Sequence, residues 1–335
     1  MLKIGLIGLG HLGKIHLRCI LLAAQTYELV GIYDADTDLT RRLADEHGTR
    51  AFSSAADLIA AVDVVDVVTP TTTHFQVVKQ ALLGHCHVFV EKPLTQTLEE
   101  AKELIELSRR AGKLVQVGHV ERFNPALLAL KDVQVRPYFI EAHRLAMFNP
   151  RGTDVSVVLD LMIHDLDIIL KLADDEVSEV RASGVAVLSE TPDIVNARIE
   201  FRNGAVANLT ASRVSLKNMR KVRLFQRDAY ISLDLLEKES QVVRLFEADA
   251  TDVPAQGQQF PLDTPRGPRI IHVDEPASGP ANAIQLELES LAESINGGRP
   301  AAVSIEDGYR ALALAERISK AVRENQERLP SPLAT

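Results

Sequence analysis

Short apolar runs alternate with helix-period segments from the first residue to about residue 118. The runs are Leu2 to Ile7, Leu29 to Tyr33, Val64 to Val68, Val88 to Val90 and Leu114 to Val117. Each ends at Gly, Pro or a capping residue and leads into a stretch with helical periodicity. Thr97-x-x-Glu100, for example, is a capping box that opens a helix running to about Arg110. Strands buried on both faces read as continuous apolar runs, and the helices that cross between them read as amphipathic stretches. Five such strand-helix units in succession predict an α/β fold with an open, doubly wound parallel sheet.

Beyond residue 120 the order changes. A short helix opens at Asn124-Pro125, a strand covers about Tyr138 to Leu145, and an apolar helix covers about Val155 to Leu172. Strand-like runs follow at Val180 to Leu188, Ala197 to Phe201, Val206 to Ala211, Val222 to Phe225, Tyr230 to Leu235 and Val242 to Phe246, separated by turn signals such as Asn203-Gly204 and Arg227-Asp228. That succession predicts an α+β domain on a largely antiparallel open sheet. Late helices are expected at about Pro280 to Ile295, stopped by Gly297-Gly298, and at about Glu306 to Glu324. Residues 249–268, rich in Pro, Gly, Gln and Asp, read as a surface excursion without assignable structure. The chain therefore divides into residues 1–120 and residues 121–335, with the late helices able to pack back on the first domain.

A length of 335 residues accommodates two such domains, at roughly 150 residues each. With 37 Lys and Arg against 46 Asp and Glu, the net charge is -9. That balance argues against nucleic acid or an anionic membrane surface as partner, so an anionic ligand must be met by local basic residues. Apolar stretches are broken by Asp, His or Gly well short of the roughly 18–20 residues of a membrane span. No export signal is read at the start of the chain, and a cytoplasmic location is expected. Cys19 and Cys86 stand in apolar surroundings without a Cys-x-x-Cys pair. They read as buried hydrophobes, and no metal site is expected.

The first turn points to a nucleotide. In Gly8-Leu9-Gly10-His11-Leu12-Gly13 the first Gly permits a tight turn, the second lets backbone approach a pyrophosphate, and the third allows close helix-strand packing. The helix that follows, with Leu12, Ile15, Cys19, Leu22 and Ala23 expected on its buried side, presents unpaired N–H groups and a positive dipole end. Asp34, at the end of the second strand, is placed to accept hydrogen bonds from the adenosine ribose hydroxyls and to repel a 2′-phosphate. In this context the turn reads as a Rossmann dinucleotide fingerprint, and Asp34 favours NAD over NADP.

Two further groups carry chemistry. Glu91-Lys92-Pro93 ends a strand at the carboxyl edge of the sheet, where ligands of open α/β folds bind. A lysine beside an oxidised nicotinamide has reason for a lowered pKa and can hydrogen-bond a substrate hydroxyl. On the apolar helix from Val155 to Leu172, Asp160, His164, Asp167 and Lys171 recur on one face. A carboxylate one turn before an imidazole can hold the ring and stabilise its protonated form, as a general base for alcohol oxidation needs.

Together with Thr69-Pro70-x-x-x-His74 and Gly118-His119-x-x-Arg122-Phe123-x-Pro125, these motifs resemble the Gfo/Idh/MocA oxidoreductases across essentially the whole chain. The resemblance implies that Lys92, Asp160 and His164 form the catalytic group. It also implies that Thr69, Pro70, His74 and Glu91 line the nicotinamide half of NAD, alongside Gly8, Gly10, His11, Leu12, Gly13 and Asp34 on the rest of the cofactor. Val157-Val158-Leu159 stands where many members carry a Gly-rich run, which points away from a generic polyol substrate.

The stretch from Ala142 to Asp154 resembles the branch of the family that oxidises UDP-N-acetylhexosamines at C3, feeding an aminotransferase that makes the 3-amino sugar of lipid A. On that resemblance the substrate is a UDP-sugar, with Arg122, Asn124, Arg144, Asn149 and Arg151 as binding residues beside Lys92, Asp160 and His164. A diphosphate suits guanidinium forks. The five basic residues from Arg213 to Arg223 could serve the same end, or form a solvated sheet edge or a subunit contact. Alternatives are a dehydrogenase of a free sugar or inositol, and an NAD-sensing binding protein without turnover. Val206, Leu224 and Ile231, read as lying on an uncovered sheet face, predict a face-to-face homodimer or a homotetramer.

Overall fold

The computed structural model describes residues 1–149, 155–277, 279 and 281–328. The chain forms two compact units, one from Met1–Phe123 with Asn282–Ala313, the other from Asn124–Ala281 with Leu314–Thr335.

In the first unit, β1 (Leu2–Ile7), α1 (His11–Leu22), β2 (Tyr27–Tyr33), α2 (Thr37–His47), β3 (Arg50–Ala51), α3 (Ala55–Ile59), β4 (Val64–Val67), α4 (Thr71–Leu83), β5 (His87–Glu91), α5 (Leu98–Ala111) and β6 (Val115–Gly118) follow in order. The strands are parallel in the order β3-β2-β1-β4-β5-β6. Strand order reverses between β1 and β4, and that switch point opens a crevice at the carboxyl ends of the strands. The sixth strand, β3, is two exposed residues long, too short to show a period. The capping box at α5 is present in full, with Thr97 and Glu100 each bonding the other's backbone N–H. On α1 the buried arc is Gly13, His16, Leu17, Cys19 and Ile20, whereas Leu22 is exposed. The expected stripe is rotated because this helix packs on a second helix as well as on the sheet.

The second unit begins with α6 (Pro125–Leu128) and β7 (Phe139–Leu145). A π-helical turn at Val158–Met162 leads into α7 (Ile163–Ala173). Then come β8 (Val177–Val185), β9 (Ile194–Phe201), β10 (Val206–Ser212), β11 (Met219–Phe225), β12 (Ala229–Asp234), β13 (Glu239–Glu247), β14 (Gln258–Thr264) and β15 (Gly267–Asp274). The chain ends its described course in α8 (Ala283–Gly297), which belongs to the first unit, and α9 (Ile305–Gln326). The nine strands form one sheet, β14-β15-β13-β12-β11-β7-β10-β9-β8, antiparallel except where β7 and β10 run parallel.

Three expectations are corrected here. The excursion at 249–268 contains most of a hairpin, β14 and β15, that extends the sheet. Its strand character was masked by Pro261, tolerated because β14 is an edge strand. The strand expected to reach Leu188 stops at Val185, because the carboxylate of Asp193 takes the backbone N–H groups of Val187, Leu188 and Ser189 at 2.8, 2.6 and 3.0 Å. Leu224 and Ile231 are fully buried, on the face covered by α6 and α7. Register sets this: Leu224 lies between Ile140 and Ile231, while Phe225, one residue on, lies between Phe139 and Tyr230 on the opposite face. The argument for a dimer from Leu224 and Ile231 therefore fails. The outer face carries instead an aromatic ladder with ring centroids 5.7 and 5.1 Å apart. Among the described residues no helix is long and apolar enough to cross a membrane.

Candidate active site

The Gly8–Gly13 turn is built as a nucleotide cradle. Gly8 has φ +100°, and a Cβ there would stand 2.5 Å from the Val68 carbonyl oxygen; one on Gly13 would stand 2.0 Å from that of Gly8. A Cβ on Gly10 would meet nothing within 4 Å, so backbone is open where a pyrophosphate must approach. His11 and Leu12 begin α1, whose first turn holds no acidic residue. An anion there meets a helix end whose dipole is positive. Asp34 accepts hydrogen bonds from the N–H of Leu9 at 2.7 Å and of Asp36 at 2.9 Å, one on each oxygen. Each carboxylate oxygen has a second lone pair, which suits ribose hydroxyls. These residues fit NAD. Asp34→Ala is expected to weaken NAD and narrow its advantage over NADP by at least about tenfold, measured by fluorescence titration; equal affinities in the wild type would remove Asp34 as the selector.

At the carboxyl edge, Glu91 is buried and Lys92 half-buried. The Glu91 carboxylate accepts the Lys92 backbone N–H at 3.1 Å and faces His16 Nε2 at 3.2 Å. Gly118 leaves it room, since a Cβ there would stand 2.9 Å from Glu91 Oε1. His74 is buried, with Nδ1 2.9 Å from the Pro93 carbonyl and Nε2 2.9 Å from that of Thr69. Burial lowers its pKa against the pull of those two carbonyls. The neutral ring donates to one of these carbonyls and packs between the Thr69-Pro70 turn and the turn that follows Lys92, while Thr69 accepts a hydrogen bond from the Thr73 hydroxyl at 2.8 Å.

In the second unit, Asp160 lies in the π-helical turn and His164 in the first turn of α7, both half-buried. Such wide turns recur at functional sites because they shift side chains off the regular helical ladder. Val157 and Val158, preceding them, are buried. Arg213, from the basic run, is buried and donates to the Val155 carbonyl, anchoring the start of this segment. Lys221 and Arg223 pair across strands with Asp234 at 3.1 Å and Glu141 at 3.5 Å.

The expected substrate residues are placed as follows. Arg144 is buried in a two-pronged ion pair with Asp165, Nε to Oδ2 at 3.0 Å and Nη2 to Oδ1 at 2.7 Å. Asn124 caps α6, accepting from the Ala126 N–H and donating to the Leu235 carbonyl. Arg122 lies 3.9 Å from Asp307. Asn149 is exposed, and Arg151 lies outside the described residues. Sequence reasoning missed His16, Asp66 and Glu287, three buried ionisable residues of the first unit. Their signal was a polar residue interrupting an apolar face.

The chain matches the model of an oxidoreductase family, NAD-binding Rossmann fold, over residues 2–119, and that of an oxidoreductase family, C-terminal alpha/beta domain, over residues 148–330. It is 36% identical over 326 residues to the UDP-N-acetylglucosamine 3-dehydrogenase of Acidithiobacillus ferrooxidans, covering 96% of this chain and 97% of that protein. A solved structure of that enzyme aligns with a TM-score of 0.87 at 34% identity, covering 98% of this chain and 99% of the other. The myo-inositol 2-dehydrogenase of Thermotoga maritima is 25% identical over 344 residues, covering 97% of each.

Proposed function

The chain belongs to the Gfo/Idh/MocA oxidoreductase family, and on that premise we propose that it oxidises the C3 hydroxyl of a UDP-N-acetylhexosamine, UDP-N-acetylglucosamine foremost, to a 3-keto sugar nucleotide. The protein is an NAD-dependent oxidoreductase acting on a CH–OH group. What supports the finer reading is the likeness to a UDP-N-acetylglucosamine 3-dehydrogenase along nearly the full length of both chains.

When bound, NAD would supply the hydride acceptor for the substrate carbon. The chain supplies the rest. The Gly8–Gly13 turn and Asp34 would hold the dinucleotide. His164 accepts the hydroxyl proton, with Asp160 one turn before it favouring the resulting imidazolium. Lys92 donates a hydrogen bond to the oxygen being oxidised. Because Arg144 is engaged by Asp165, recognition of the diphosphate falls to Asn149 and Arg151. The 3-keto product is the substrate class of an aminotransferase, the step that leads to a 3-amino sugar and lipid A.

The test is a substrate screen with NAD in excess, following NADH absorbance and the mass of the product. UDP-N-acetylglucosamine is expected to yield NADH and a product lighter by two hydrogens. Free N-acetylglucosamine should fall behind by at least about a hundredfold in kcat/KM, since binding energy from the remote nucleotide positions the sugar. Faster reduction of NAD by myo-inositol or a free sugar would replace this reading with the polyol one.

A further inference from the structure

Beneath the Glu91–Lys92 turn, four ionisable side chains from four elements of the first unit meet away from water. They are His16 of α1, Asp66 of β4, Glu91 of β5 and Glu287 of α8, of which His16, Asp66 and Glu287 are fully buried. His16 Nδ1 lies 3.0 Å from Asp66 Oδ2 and Nε2 lies 3.2 Å from Glu91 Oε1. One ligand atom each from His16, Glu91 and Glu287 lie within 4.8 Å of one another. Neither carboxyl oxygen of Glu287 has a hydrogen-bond partner among the described residues.

The geometry sets the proton count. A neutral imidazole has one N–H, so it can donate to only one of two carboxylates; the ring donates to both Asp66 and Glu91 only as the imidazolium. Three ionised carboxylates around it would leave two uncompensated charges in a dry interior, a heavy cost. Glu287 meets two acids and no donor, so it is the group that stays neutral.

We propose that His16, Asp66, Glu91 and Glu287 form a buried cluster that holds two protons through neutral pH, on His16 and on Glu287, and that His16 thereby positions the Glu91–Lys92 turn. Burial alone would lower the pKa of His16, but the charges and hydrogen bonds of Asp66 and Glu91 carry it well above the usual value. Burial raises Glu287 well above the carboxylate range, helped by Glu91 and Asp66 and opposed by His16. Cys19 and Tyr27 face the same cluster and are kept protonated chiefly by burial; His74, which faces Glu91, is kept neutral by burial. Phe89 and Gln116 close it with groups that do not titrate: the Phe89 ring lies 5.5 Å from that of His16, and Gln116 donates to the Glu287 carbonyl. A divalent cation on His16, Glu91 and Glu287 is the competing occupant. It would need a bare Nε2, which the contact with Glu91 does not offer.

Both folded-state pKa values stand above their unfolded values, so stability is lost as pH rises through neutrality. Urea unfolding of the full chain between about pH 7 and 8, above the ordinary imidazole value and below that of a thiol, reads the proton count. The wild-type unfolding constant should climb by about a hundredfold per pH unit, and that of Glu287→Gln, which keeps the shape without a titrating proton, by about tenfold. An unchanged slope overturns the proposal. Nitrogen-15 spectra of histidine-labelled protein should show both ring nitrogens of His16 protonated at about pH 8; a bare ring nitrogen overturns it too. So does stoichiometric divalent metal in the purified protein whose removal by EDTA lowers the unfolding midpoint. The positioning role rests on the assignment of Lys92 above. His16→Gln should lower kcat at least about tenfold while NAD affinity stays within about threefold, and an unchanged kcat overturns that role. Proton count and ring spectrum use no substrate, so a wrong sugar leaves them standing.

Discussion

Replacing Arg144 with Ala destabilises the second unit by about 3–5 kcal/mol, read as a lower midpoint in urea unfolding. Arg144 projects from β7 and Asp165 from α7, and each is 3% exposed. Together they form a buried, two-pronged pair at 3.0 and 2.7 Å. Removing the guanidinium takes the two-pronged counter-charge from a carboxylate held in an interior that solvates it poorly, and this penalty, rather than the worth of the pair, sets the size of the effect. Asp165→Asn in the Arg144→Ala background should recover part of the loss, because a neutral amide tolerates the loss of the guanidinium better than an anion does. Asp165 is adjacent to His164, so the pair also fixes the helix that carries the proposed proton acceptor. The competing reading, in which Arg144 grips the nucleotide diphosphate, predicts the reverse: an unchanged midpoint and a raised KM for the sugar nucleotide.

Arg144 shows where sequence reasoning runs out. A guanidinium on a strand before an expected binding loop looks the same whether it faces a ligand or a carboxylate contributed by a helix 21 residues later. Only the fold decides which acid it meets. Features set by local period or backbone conformation were legible: the apolar strands of the parallel sheet, the Thr97 capping box, the glycine turn and the Asp34 position all follow from rules that act within about 30 residues. Features set by tertiary partners were not. The π-helical turn at Val158–Met162 has the composition of an ordinary helix. The hairpin of β14 and β15 was hidden by its proline and its lack of burial. Leu224 and Ile231 were placed on the wrong face because strand parity is known only once register is known. His16, Asp66 and Glu287 each sit in an apolar setting, and nothing within a single element announces that the three converge.

The largest effect on turnover is expected from the proton path. His164→Asn keeps a hydrogen-bonding side chain of similar reach but cannot take up the proton that the proposed mechanism gives to the imidazole, and Lys92→Ala removes the proposed donor to the same oxygen. Each should lower kcat by about two to four orders of magnitude with the best sugar nucleotide. The dissociation constant for NAD should stay within about threefold, because the glycine turn and Asp34, the proposed dinucleotide ligands, need neither side chain. Asp160→Asn should fall between these variants and the wild type, since in the proposed mechanism the carboxylate supports the imidazolium but does not itself take the proton. Stopped-flow measurement of NADH formation beside equilibrium NAD binding separates the two quantities. A fall in NAD affinity that accounts for the whole loss would recast the residue as a cofactor ligand. Near-normal turnover in either His164→Asn or Lys92→Ala would remove that residue from the chemistry. A wild-type protein that binds NAD tightly yet reduces it with no UDP-sugar, free sugar or inositol would leave the fold as a nucleotide sensor, with Lys92, Asp160 and His164 present but idle.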